Sequence, residues 1–171
     1  MANETAVAGR QTALVTGASS GIGLELARLF AAGGYDLVLV ARSGGRLEEL
    51  AGELRTQAGI AVRAMAADLA RPESPEELSR ELEQAGIAVD VLVNNAGFGT
   101  FGPFAGTDLH AELEELQLNV VTLTHLTKKR DPPDALGARH PRRPRHAGSP
   151  ELIRRIRQIC RIRRVPRGAL R

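Results

Sequence analysis

The segment Thr16-Gly-Ala-Ser-Ser-Gly-Ile-Gly23 constrains this chain more than any other. It follows a short apolar run, Thr12–Thr16, and opens a stretch in which Ile22, Leu26, Leu29 and Phe30 recur at helical spacing up to the Gly33-Gly34 pair. A strand that turns through three glycines directly into a helix leaves the first backbone N–H groups of that helix facing outward, the geometry that receives a phosphate. Gly17 permits the tight turn, Gly21 lets backbone approach an anion, and Gly23 allows close helix packing.

The same alternation continues. Asp36–Ala41 reads as a second buried strand, Leu47, Leu50 and Leu54 as a second helix, and residues 60–67 as a third strand. Pro75 opens a third helix that buries Leu78 and Leu82, and residues 89–93 form a fourth strand. A fourth helix, with Thr107 as its expected N-cap, carries Leu109, Leu113, Leu116, Val120 and Leu123 and runs to about Thr127. Successive βα units of this kind predict a parallel sheet in the order 3-2-1-4, with helices on both faces.

Beyond Lys128 the periodicity stops. Residues 1–130 carry 11 of the 23 Lys+Arg and 17 of the 20 Asp+Glu, a net charge of −6, whereas residues 131–171 carry twelve arginines against three acids, a net charge of +9. Six of the nine prolines also fall after Lys128. One folded domain is therefore expected, a nucleotide-binding unit over 1–130, followed by a basic, disordered tail over 131–171. The single cysteine, Cys160, rules out an internal disulfide, and no apolar run has the length of a membrane span. Without the apolar stretch of a signal peptide in Met1–Arg10, a cytoplasmic protein is expected.

Thr16-Gly-x-x-x-Gly-x-Gly23 together with Asn94-Asn-Ala-Gly97, at the end of the fourth strand, resembles the short-chain dehydrogenase/reductase family over Gln11–Lys128. The resemblance implies an α/β, Rossmann-type doubly wound parallel sheet, here truncated after the fourth βα unit and followed by an irregular Arg/Pro-rich tail. It assigns Thr16, Gly17, Ser19, Ser20, Gly21, Ile22 and Gly23 to the cofactor cradle, and Asn94, Ala96 and Gly97 to the wall of the same site.

Selection between NAD and NADP rests on the end of the second strand. An acid there, about twenty residues after the glycines, would accept the ribose 2′-OH of NAD. The strand ends Val40-Ala41-Arg42-Ser43 instead, and the Arg42 fork suits the 2′-phosphate of NADP. A solvated loop charge is the alternative for Arg42, and Ser20 stands where many NADP-preferring relatives carry a second basic residue. Asp68 matches the position whose carboxylate accepts the adenine amino group; its alternative is an ordinary loop or capping aspartate.

Carbonyl reduction needs a proton donor for the developing alkoxide and a cation that lowers the donor's pKa. The family meets this with a serine after the fifth strand, Tyr-x-x-x-Lys on the next helix, and an asparagine on the fourth helix that holds a relay water. Asn119 matches that asparagine, or else is a core asparagine bonded internally. The remaining partners are missing: Tyr35 is the only tyrosine, no lysine follows Lys129, and Ser149 is the only serine in the tail. His110 and His125 lack partners at metal spacing and read as surface or helix-packing residues, so no metal site is expected.

The expected function is thus NADP(H)-dependent oxidoreduction of a small carbonyl or alcohol by ancestry, with catalysis lost in the chain as written. The alternative is a non-catalytic NADP-binding fragment or pseudoenzyme. Clustered arginines could neutralise nucleic-acid phosphates, but the tail has no aromatic residue for base stacking, so that partner is not expected. A change of coding frame near Lys129 is a second account of the tail. Residues 162–169 can be re-read one base on as Phe-Val-Glu-Phe-Leu-Glu-Ala-Leu, similar to the helix after the family's catalytic lysine. A sheet that stops at the fourth strand should also leave an apolar edge and part of the fourth helix uncovered.

Overall fold

The computed structural model describes residues 9–130. Readings that fall on Ser149, Cys160 and the 131–171 tail lie outside the described residues. Four parallel strands, β1 (Thr12–Thr16), β2 (Asp36–Ala41), β3 (Val62–Ala66) and β4 (Val91–Val93), lie in the order β3-β2-β1-β4, as the alternation predicts. The third and fourth strands are shorter than the apolar runs that announce them; Ile60 and Val89 precede the ladder and are buried there.

Strand alternation feeds two cores. Ala13 and Val15 of β1 with Leu37 and Leu39 of β2 face α1 (Gly21–Ala32) and α2 (Gly44–Ala58), where they meet Leu26, Phe30, Leu47, Leu50 and Leu54. Leu14, Val38, Val40 and Met65 point to the opposite face and pack with Leu69, Leu78, Val89 and Leu126. That second face is covered by α3 (Ser74–Gln84), with Pro75 in its first turn, and by α5 (Leu123–Arg130). Side chains at successive positions of a strand point to opposite faces, so a sheet buried on both sides needs continuous apolar runs such as Leu37–Ala41.

The last helical run departs from a single regular helix. It consists of α4 (Leu109–Leu116), a wide π-helical turn (Gln117–Thr122) and α5. Its N-cap is Asp108, whose Oδ1 accepts from His110 N at 3.0 Å, and not Thr107. The Thr107 hydroxyl turns instead toward the Phe104 carbonyl and the Glu112 carboxylate. Leu118, Thr122 and Leu126 face the sheet, and the buried Thr122 hydroxyl donates to Leu69 O at 2.8 Å. The stripe Leu109, Leu113, Leu116, Val120 and Leu123 lies on the other side and is at least 41% exposed throughout.

Candidate functional site

The order β3-β2-β1-β4 places a topological switch at β1, because the chain first builds outward through β2 and β3 and then returns to the far side of β1. Ligands of doubly wound sheets bind outside the carboxyl ends of the strands at such a point. The β1–α1 turn and the residues after β4 both stand there.

Thr16 joins them. Its side chain is buried, and its hydroxyl donates to Val93 O at 3.2 Å while accepting from the backbone N–H groups of Asn95 and Ala96, each at 2.9 Å. One donor and two lone pairs exhaust a hydroxyl. Thr16, assigned to the cofactor by the resemblance, therefore turns its side chain inward and acts as the clamp between β1 and the end of β4. Asn95 completes the clamp by donating from Nδ2 to Thr16 O at 3.0 Å and to Gly17 O at 3.4 Å. Asn95 stands between Asn94 and Ala96, which the family motif marks for the site wall, and the doubled asparagine is the sequence signal of this further role.

The cradle has the conformation that its glycines allow. Gly17 and Gly21 have φ of 66° and 56°, in the left-handed region. A Cβ on Gly23 would lie 2.2 Å from Gly17 O, so the turn closes only over a bare backbone. Gly17 N and Ala18 N donate to Val40 O, fastening the turn to β2 as well. The Ser20 side chain makes no capping bond to α1, which leaves the N–H groups of that first turn without a side-chain acceptor. Ser19 is half-buried and Ser20 exposed beside them, and Ile22 packs against the first core.

Arg42 follows β2, is exposed, and makes no hydrogen bond or ion pair to another described residue. Asp68 follows β3, and its Oδ1 accepts from Ala70 N at 3.1 Å, so the loop-aspartate role is occupied by one oxygen. Nearby Met65, Asp68, Arg71, Ser74 and Leu78 line a hollow of about 110 Å³, smaller than a ligand pocket of several hundred cubic ångströms.

At the β4 side, Asn94 Nδ2 donates to Thr127 Oγ1 at 3.0 Å, tying the strand end to α5. Asn119 lies in the π-helical turn, a distortion that recurs at functional sites. Its Nδ2 donates to Phe98 O at 2.8 Å, and a Cβ on Gly97 would come within 2.8 Å of its Oδ1. Glu115, one turn earlier, accepts from Thr100 N and Thr100 Oγ1. No sequence pattern pointed to Glu115, because its role depends on a loop folding back across the helix.

Tyr35 packs edge-on against Phe30, with ring centroids 5.1 Å apart, at the amino end of β2 and thus at the opposite end of the sheet from the cradle. His110 and His125 lie 3.5 and 3.4 Å from Glu114 and Glu76, respectively, in surface and helix-packing positions. Glu76 also meets Lys129 at 2.8 Å, and its carboxyl is held below the usual 4.5, chiefly by Lys129 and then by His125. Among the described residues, no group of three or more His, Cys, Asp or Glu is placed to hold a metal ion, and no helix is long and apolar enough to cross a membrane.

Comparison with known proteins agrees with this geometry. The family profile described as short chain dehydrogenase matches residues 11–132. A very-long-chain 3-oxoacyl-CoA reductase of Schizosaccharomyces pombe is 36% identical over 120 residues, covering 68% of this chain and 35% of that protein. A short-chain dehydrogenase from Sphingobium yanoikuyae, solved in complex with NADPH, superposes with a TM-score of 0.68 at 39% identity, covering 74% of this chain and 50% of that one. An alcohol dehydrogenase from Thermococcus sibiricus, complexed with 5-hydroxy-NADP, gives 0.66 at 37% identity, covering 70% of this chain and 51% of its own. The chain thus spans about a third to a half of the length of these relatives. With the glycine cradle closed over Thr16 and Asn95 at the switch point of a parallel sheet, and the family profile matched along the same residues, the chain belongs to the short-chain dehydrogenase family.

Proposed function

We propose that residues 9–130 form the NADP(H)-binding part of an oxidoreductase that acts on a small carbonyl or alcohol. The observation that carries this reading is the cradle: an uncapped helix start, reached through two left-handed glycines and seated where the sheet order reverses. The residues fit a dinucleotide. Gly17–Gly23 would hold the pyrophosphate on backbone N–H groups, and Arg42 would take the 2′-phosphate with a guanidinium that no described residue engages. Asp68 retains one oxygen for the adenine amino group, and Gly97 and Asn119 bound the nicotinamide end. Relatives solved with NADPH and with 5-hydroxy-NADP support NADP over NAD.

When bound, the nicotinamide supplies or accepts the hydride. The protein must supply the proton, and the sequence as written has no Tyr-x-x-x-Lys to do so. Asn119 would hold the relay water, but its amide has no titratable proton to give. A general acid contributes roughly 10²–10⁴-fold in rate. Binding without appreciable turnover is therefore the reading for this chain, which is the fragment or pseudoenzyme alternative. A cytoplasmic location belongs to the same proposal.

Titration of the purified chain with NADPH and NADH, followed by a carbonyl-reduction assay, tests it. Tighter binding of NADPH with background turnover is expected. Equal affinity for the two cofactors refutes the Arg42 assignment, and robust substrate-dependent NADPH oxidation refutes the loss of catalysis.

A further inference from the structure

We propose that Glu115 is a positioning residue for the nicotinamide end of the cleft, acting by clasping the loop at 97–100; the proposal rests on the nucleotide-binding reading above. Two residues one helical turn apart grip this loop from the same helical run. Asn119 Nδ2 donates to Phe98 O at 2.8 Å. Glu115 Oε2 accepts from Thr100 N at 2.8 Å and from Thr100 Oγ1 at 2.9 Å. Residues four apart on a helix share a face, so both side chains reach the loop together.

The loop needs such a clasp. Gly97, Gly99 and Gly102 fall within six residues, and glycine has the most conformational freedom to lose on ordering. Among the described residues, no backbone-to-backbone hydrogen bond outside helices and strands involves residues 97–102. Among the described residues, the Asn119 and Glu115 contacts are the hydrogen bonds that hold it. An ionised acceptor makes the stronger kind of hydrogen bond, and here one oxygen takes both donors. The loop in turn fixes where Gly97 lies against Asn119, because a Cβ on Gly97 would be 2.8 Å from Asn119 Oδ1. Glu115 therefore sets the width of the cleft beyond β4 without facing the cofactor itself.

The adenine end is built elsewhere, from residues after β2 and β3, and this gives the test its contrast. The 171-residue wild-type chain, Glu115→Ala and Glu115→Gln are titrated with NADPH and with adenosine 2′,5′-bisphosphate, which carries only the adenine end. Glu115→Ala should weaken NADPH about tenfold and lose the emission enhancement of the bound nicotinamide, while leaving the bisphosphate within about twofold. Glu115→Gln should recover NADPH binding to within about twofold, since one amide oxygen can accept both bonds. In the ligand-free chain, exchange of the Thr100 amide should quicken in the alanine variant and stay near wild type in the glutamine variant. Wild-type binding that is unchanged by Glu115→Ala overturns the proposal, as does an equal loss for both probes or a glutamine variant that behaves like alanine. A wild-type chain that binds neither probe overturns the nucleotide-binding reading itself and this proposal with it.

Discussion

Replacing Thr16 by Val removes one hydroxyl and leaves the volume almost unchanged, so its cost isolates the clamp between β1 and β4. Three bonds vanish together: the donation to Val93 O and the acceptance from Asn95 N and Ala96 N. A neutral hydrogen bond contributes roughly 0.5–1.5 kcal/mol net, and a buried donor left without an acceptor costs roughly 1–3 kcal/mol. Asn95 and Ala96 are half-buried, so water relieves part of that penalty and about 1 kcal/mol each is the fair figure. The added methyl returns somewhat under about 1 kcal/mol by burial. Hydrogen bonding wins, and the variant should lose about 2–3 kcal/mol.

For a domain of this size the loss corresponds to a fall of roughly 8–12 °C in Tm. Urea denaturation followed by far-UV circular dichroism would show it as a lower midpoint at unchanged slope. Thr16→Ser is the matched control: it keeps every bond and loses only a methyl, about 1 kcal/mol. NADPH affinity should also fall in Thr16→Val, because Asn95 no longer holds the Gly17 carbonyl in place. A valine variant as stable as wild type, or more stable than the serine variant, refutes the clamp.

Arg42→Ala should weaken NADPH about tenfold or more and leave NADH unchanged, as measured by fluorescence titration. The tie between α3 and α5 through Glu76 should be pH-dependent. Its carboxyl is held below 4.5 in the folded chain by Lys129 and His125, so the stabilisation is full above 4.5 and fades as pH falls through the lowered value. Amide exchange along α5 should quicken in that acid range, and Glu76→Gln should abolish the pH dependence. The uncovered stripe on α4 should drive association: light scattering at rising concentration should fall in a Leu113→Lys, Leu116→Lys double variant whose circular dichroism is unchanged, because both leucines are more than half exposed.

The sheet was legible because each strand is announced by an apolar run and each helix by its own period; β1 and β2 coincide with their runs to the residue. The fourth helical run was legible in extent but not in orientation. Its leucines made the most visible stripe, yet the helix docks through Leu118, Thr122 and Leu126. A threonine at the centre of that face is hidden from any count of apolar residues, and its burial becomes acceptable only once Leu69 O is there to receive the hydroxyl. Asp108 displaced Thr107 as N-cap for a similarly local reason: the threonine was already engaged by Phe104 and Glu112.

The residues of the two family motifs divide between bare-backbone glycines and polar side chains that bind the turn to the end of β4, and the sequence pattern alone does not separate these tasks. Thr16 and Asn95 spend their polar atoms on backbone groups of β1, the turn and the end of β4, which fixes the distance between the cradle and Gly97. Gly17, Gly21 and Gly23 contribute by lacking a side chain, and a Cβ on Gly17 would itself lie 2.8 Å from Asn95 Nδ2. The glycines and the clamp are therefore one requirement: the turn can approach β4 only without side chains, and it stays there only because the threonine and asparagine bind it. A nucleotide bound as proposed would meet a turn and a strand end whose spacing the Thr16 and Asn95 bonds already set.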